Sequence, residues 1–231
     1  RACWAPSLRL PMLIYPDGSS NALRDSSLYS SDSVKKYGYD ERKLADIKKL
    51  AGRGSKVMLT KSMHEIAELS GKIKKTDDVI EKMTKEFIDF YSKNIYREST
   101  LKKGVLDFLS WCKKKSILMA VCTNKQEHLS IDLLKKIKIY HFFEYVAGGD
   151  TFKHNKPDPR HLTDTIEIVG GNLKKTIMIG DSETDSNASK AANIPFVLID
   201  DGYTEKKSNE IYHNHLIKDF VGLEKIIEKY L

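Results

Sequence analysis

Lysine is missing from the first 34 residues of a chain that otherwise depends on it. The 231 residues carry 39 basic side chains, seven arginines and 32 lysines, and every lysine lies at Lys35 or beyond. The same opening segment holds three of the seven arginines (Arg1, Arg9, Arg24) and three of the six prolines (Pro6, Pro11, Pro16), so it does not share the composition of the rest. Long apolar runs are absent too. The longest, 117–122, has six residues, against roughly 20 for a bilayer-spanning helix, so no membrane partner is expected. No basic-then-apolar leader opens the chain, which the three prolines interrupt, and a secretory signal is not expected. Cysteine is scarce: Cys3, Cys112 and Cys122 are odd in number and lack metal-type spacing, the usage of reduced, buried thiols in a cytoplasmic protein. The net charge of +7 permits contact with nucleic acid. The lysines are scattered, however, and the longest basic run, 113–115, has no interleaved aromatics. A solvated lysine-rich surface without a nucleic-acid partner is therefore expected.

What is present reads as a soluble, globular chain, 40% apolar and 31% charged, long enough for one large domain or two small ones. From residue 27 onward the pattern is helical and charged. "ERKLADIKKLAG" sets Leu44, Ile47 and Leu50 at helical spacing and stops at Gly52. "SKVMLTKSMHEIAELSG" and "DDVIEKMTKEFIDFYSKNIY" repeat the pattern without a strand signal between them. The texture then changes. Helical segments ("GVLDFLSWCKKK", "EHLSIDLLKKI", "PRHLTDTIEIVGG", and one starting near Thr184) alternate with short apolar runs ("SILMAVC", "FFEYVAGGD", "KTIMIGD", "PFVLIDDGY"). Runs with no period of two are strands buried on both faces, and the alternation predicts a doubly wound, parallel α/β sheet. The run Met12-Leu13-Ile14-Tyr15, ending in Pro16-Asp17-Gly18, belongs to that sheet as its first strand. The expected organisation is an α/β core of residues 1–26 and 97–231, with an all-helical cap, 27–96, inserted after the first strand.

In an open parallel sheet, ligands bind beyond the carboxyl ends of the strands. Thr123-Asn124 follows one strand; a hydroxyl and turn amides there suit an anionic oxygen, or equally a helix N-cap. Lys156, stiffened by Pro157 and Pro159, is a point charge for phosphate if it faces the site, and otherwise one surface lysine of many. Asp181 and Asp185 follow another strand in "GDSETD". Four apart on a helix, they share a face. Two such carboxylates without a basic neighbour suit Mg²⁺, although an acidic helix start favoured by the helix dipole leaves the same pattern.

Strand-"TNK", "KPDP" and strand-"GDSETD", in this order and spacing, resemble the haloacid dehalogenase-like hydrolase superfamily. The resemblance covers roughly 35–231 and runs to the phosphoglycolate phosphatase-type branch with a helical cap. It implies a Rossmann-like core, Mg²⁺, and attack on a small phosphate monoester by an aspartate ending the first strand. An aspartyl-phosphate forms and water then hydrolyses it. Thr123 and the amide of Asn124 would bind phosphoryl oxygens, and Lys156 would neutralise phosphate and nucleophile. Asp181 would ligate the metal directly, and Asp185 would hold it indirectly, through water or through a bond to one of the metal's ligands. Arg53, in the cap loop "AGRGSK", would hold a substrate carboxylate. The implied substrate is 2-phosphoglycolate, with a sugar phosphate or a phosphomutase reaction as alternatives.

One departure goes with the resemblance. The first family motif is aspartate, any residue, aspartate, glycine, threonine. In the register that keeps Asp17-Gly18-Ser19, Tyr15 stands at the nucleophile and Asp17 becomes the acid/base residue, with its carbonyl near the metal. In the other register, Asp17 is the nucleophile and Ser19 stands at the acid/base position. Either way one carboxylate is missing, in the same segment as the composition break. The expectation is an active phosphatase whose segment upstream of about residue 34 is divergent or not its own. The competing expectation is an inactive relative that binds a phosphorylated ligand or a partner.

Overall fold

A computed structural model describes residues 11–14, 81, 82, 85, 86, 89, 101–200 and 206–231. Tyr15, Asp17, Arg53 and most of the expected cap, 27–96, lie outside the described residues. The five described positions between 81 and 89 are helical, within the third helix read from the sequence.

The strands are β1 (Pro11–Ile14), β2 (Leu118–Cys122), β3 (Tyr145–Ala147), β4 (Ile177–Gly180), β5 (Phe196–Ile199) and β6 (His215–Ile217). They form one sheet in the order β3-β2-β1-β4-β5-β6, and every pairing is parallel. The helices are α1 (Val105–Lys114), α2 (Glu127–Lys136), α3 (Arg160–Ile168), α4 (Glu183–Ala191) and the short α5 (Glu224–Ile227). The strand order reverses at β1, which pairs with both β2 and β4. Ile14 lies opposite Val121 on one side and Ile179 on the other. This is the switch point where a doubly wound sheet opens a crevice at its carboxyl edge.

Burial on both faces explains the unbroken apolar runs. Met119 and Val121 of β2, Ile177 and Ile179 of β4, and Val197 and Ile199 of β5 pack with α1, Leu134 of α2 and the C-terminal Phe220, Leu223 and Ile227. Their alternate neighbours Ala120, Cys122, Met178, Phe196 and Leu198 pack with Leu162 and Ile166 of α3 and Ala188 of α4. Successive strand side chains point to opposite faces, so each strand must be apolar throughout.

The first four helices end alike. Ser116, Lys138, Gly170 and Asn193 adopt the left-handed conformation. The next residue then donates its N–H back across the last turn: Ile117 to Cys112, Ile139 to Leu134, Gly171 to Ile166 and Ile194 to Ser189. This cap satisfies carbonyls that would otherwise be orphaned. At three of the four ends the isoleucine that follows is buried and leads the chain back toward the sheet.

β6 has no counterpart in the sequence reading. It is a three-residue edge strand whose middle residue, Leu216, is 46% exposed, too short and too polar to stand out.

Candidate active site

The carboxyl ends of β2 and β4 and the loop after β3 bring together Thr123, Asn124, Lys156, Asp181 and Asp185. Lys156 is at the centre. Its side chain is buried, and Nζ donates to Asp185 Oδ1 at 2.6 Å and to the carbonyl of Cys122. Burial alone would lower the pKa of this ammonium, but Asp185, with smaller contributions from Cys122 and Asp181, outweighs it and holds the value above that of an ordinary lysine. The charge is therefore permanent in the range where proteins function.

The backbone of Lys156 is held as well. Its carbonyl accepts from Asn124 Nδ2 at 2.8 Å, and its N–H donates to His161 Nδ1 at 3.2 Å. The loop that delivers it packs tightly on the end of β2. A Cβ added at Gly149 would lie 2.4 Å from the Asn124 carbonyl oxygen, so only glycine lets the two backbones approach this closely.

Asp185 is the third residue of α4, and Ser182 is its N-cap. The two form a capping box: Asp185 N–H donates to Ser182 Oγ at 3.2 Å, and Ser182 N–H donates to Asp185 Oδ2 at 3.2 Å. Ser182 Oγ and the Asp181 N–H also donate to Oδ2, at 2.7 and 3.3 Å. One Asp185 oxygen thus anchors the turn that presents Asp181, and the other holds Lys156. Gly180 makes room for this, since a Cβ there would stand 2.6 Å from Asp185 Oδ2.

Thr123 is buried at the end of β2. Its N–H donates to the Ala147 carbonyl at 2.9 Å, and its hydroxyl oxygen accepts from Lys125 N–H at 3.1 Å. Beneath the site, burial pushes the Cys122 thiol up to about 11. It is a neutral packing group, not a nucleophile.

The described donor set fits a hard cation. Asp181 supplies a buried carboxylate at a strand end, and Mg²⁺ is commonly held by one or two carboxylates completed by water and phosphate oxygens. Among the described residues no group of three or more His, Cys, Asp or Glu side chains is arranged to hold a metal.

The model of the haloacid dehalogenase-like hydrolase family matches residues 27–199. The chain belongs to that family. Within it, the similarity runs to the phosphoglycolate phosphatase-like branch. The chain is 36% identical over 179 residues to the phosphoglycolate phosphatase of Mesorhizobium japonicum, covering 78% of this chain and 77% of that protein. It is 33% identical over 189 residues to that of Agrobacterium fabrum, covering 80% and 79%. The crystal structure of a predicted phosphoglycolate phosphatase from Haemophilus somnus 129pt superposes with a TM-score of 0.86 at 22% identity, covering 95% of this chain and 98% of that one. The fold of the described residues is accordingly the doubly wound core of a haloacid dehalogenase-like hydrolase, and the chain is an enzyme of the phosphatase type. The family match begins at residue 27, ten residues beyond Asp17.

The sequence reading missed three parts of this hydrolase's site. Ser182 was legible, because Ser182-x-x-Asp185 is a capping-box signature. His161 had a signal too: His161, Leu162, Thr165 and Ile166 are the buried face of α3. The Cys122 carbonyl had none, because a backbone acceptor leaves no trace in residue type.

Proposed function

We propose that this chain hydrolyses a small phosphate monoester with the help of Mg²⁺, 2-phosphoglycolate being the substrate that its named relatives favour. The observation that carries this reading is the buried Lys156–Asp185 pair set between Thr123 and Asp181 at the switch point of the sheet. A fixed, desolvated ammonium beside a hydroxyl and a carboxylate is what phosphoryl transfer requires, since that reaction depends on positioning and charge neutralisation.

In this reading Lys156 and Thr123 bind phosphoryl oxygens together with the Asn124 amide, and Arg53 engages the substrate carboxylate. Asp181 and the Asp17 carbonyl hold Mg²⁺, which supplies charge neutralisation at the transferring group. Asp185 contributes indirectly, by fixing the Asp181 turn. In the register that makes Asp17 the nucleophile, its carboxylate forms the aspartyl-phosphate and water releases phosphate from it; in the register that uses the Asp17 carbonyl for the metal, Tyr15 stands at the nucleophile and the reaction needs an aspartate there. The domain limits 1–26 and 97–231 for the core and 27–96 for the cap are part of the proposal. So is a cytoplasmic setting, which suits the free, buried Cys112 and Cys122. Among the described residues no helix is long and apolar enough to cross a membrane.

The test is a phosphatase screen, with Mg²⁺ and with EDTA, on protein whose intact mass has been compared with 26.4 kDa. Metal-dependent turnover of 2-phosphoglycolate supports the reading. Preference for a sugar phosphate redirects it, and no turnover of any monoester overturns it. A mass that disagrees assigns the departure upstream of residue 34 to a segment that is not the chain's own.

A second reading, an inactive relative that binds a phosphorylated ligand, is favoured by Tyr15 at the nucleophile position and by a family match that starts only at residue 27. Turnover that appears only in Tyr15→Asp supports it, and turnover by the unaltered chain removes it.

A further inference from the structure

We infer that His161 is a positioning residue for Lys156, acting as a neutral hydrogen-bond acceptor that fixes the loop on which the lysine is carried. The inference deepens the proposed phosphatase reading. Its structural part stands whether or not the chain turns over a phosphate ester.

His161 lies in the first turn of α3 and has no exposed surface. Its Nδ1 accepts the Lys156 N–H. A nitrogen that accepts has no proton of its own, so the ring proton resides on Nε2. The His161 carbonyl accepts from Thr165 Oγ1 at 2.6 Å and from Cys122 Sγ at 3.7 Å, which ties this turn of α3 to the end of β2. The Cys122 carbonyl is in turn an acceptor for Lys156 Nζ. Lys156 is thus gripped at four points, its N–H by His161, its carbonyl by Asn124, and its ammonium by Cys122 and Asp185.

The loop before Lys156 leans on the same imidazole. Phe152 meets His161 edge-on, with ring centroids 5.6 Å apart, and stacks on His154 at 5.9 Å. His154 Nε2 pairs with Asp164 Oδ2 of α3 at 2.8 Å. Removing the His161 acceptor leaves a buried N–H unsatisfied at the residue whose side chain must be placed most accurately. Displacements of about 1 Å at such a group cost up to about 10²-fold in rate.

Asparagine and leucine separate the acceptor from the ring. Asn Oδ1 occupies the place of His Nδ1, leucine offers a methyl there, and both delete the rest of the imidazole. Lys156 accessibility is read by acylating wild type, His161→Asn and His161→Leu with an N-hydroxysuccinimide ester and quantifying each lysine by peptide mass spectrometry. The expected result is Lys156 labelling raised about fivefold or more in His161→Leu and within about twofold of wild type in His161→Asn, with the other lysines unchanged. Equal labelling of Lys156 in both variants, raised or not, overturns the inference.

Nitrogen NMR of the wild-type imidazole gives a measurement that needs no variant: protonation on Nε2 is expected, and protonation on Nδ1 overturns the inference. Activity is read in parallel, with kcat/KM expected to fall about 10- to 100-fold in His161→Leu and to recover to within about threefold in His161→Asn. Absence of turnover in the wild type counts against the phosphatase reading alone, because the labelling and NMR results decide the role of His161 independently.

Discussion

The two sides of the switch point make unlike demands on the sequence. On the β2 and β4 side, Thr123, Lys156, Asp181 and Asp185 are buried and bound to one another or to the backbone beside them. On the β1 side, the strand forms and pairs in register with both neighbours, and the proposed departure from the family motif falls in the residues that follow it, Tyr15-Pro16-Asp17. A central strand asks for backbone hydrogen bonds and apolar side chains, and Pro11-Met12-Leu13-Ile14 meets that demand. Chemistry asks for particular carboxylates at particular positions, which no apolar strand provides. A whole sheet is therefore compatible with the departure proposed for its first motif.

The strongest way to break that comparison is through Asp17, which both registers keep in a catalytic role. Asp17→Asn should lower kcat by about 10²- to 10⁴-fold with the folded structure intact; unchanged turnover would mean that the β1 side takes no part in the reaction. Next comes the opposite side. Lys156→Met leaves Asp185 buried beside an apolar chain and should cost about 3–5 kcal/mol in urea denaturation. The pH dependence of that loss has a fixed sign. The folded-state pKa of Lys156 is raised above its ordinary 10.5, so the stabilisation is complete below that value and fades as pH rises through the folded pKa.

His161 gives a third and opposite dependence. Burial, helped by the Lys156 charge, lowers its pKa from 6.5 to about 4. Between those values the unfolded chain binds a proton that the folded chain refuses, so stability rises with pH across this window and is fully present above it. The window is worth on the order of 3 kcal/mol. It should be absent from His161→Asn when denaturation is compared at pH 4 and pH 7. The smallest effect belongs to the turn. Gly180→Ala drives a methyl against Asp185 and should cost about 1–3 kcal/mol, with no change expected from alanine at Gly170, whose surroundings are open, beyond the strain of its left-handed backbone.

Much of this core was legible because burial on two faces writes itself into the chain. Each of the four apolar runs after residue 100 contains a strand, and each of the four helical segments that precede them is a helix, with ends displaced by only a few residues. Lys156 was less legible. As one lysine of 32 it carried no signal of burial, and its role was suggested only by the flanking Pro157 and Pro159 and by its family context. Asp185 was read for its spacing from Asp181, whereas the structure commits both of its oxygens, to Lys156 and to the cap of α4. The left-handed conformation of Ser116 and Lys138 just past two helix ends was not legible, because neither residue type announces it.

By itself the sequence determined the alternation of buried strands and amphipathic helices, and with it the class of fold, because hydrophobic periodicity is a local property of the chain. The order of strands, the meeting of Lys156 with Asp185 across 29 residues and the burial of His161 against the Lys156 backbone were decided only in the tertiary structure. Those contacts join residues that are distant in the chain, and they hold because a charge or polar group taken out of water must be met by a partner, which no stretch of sequence supplies alone.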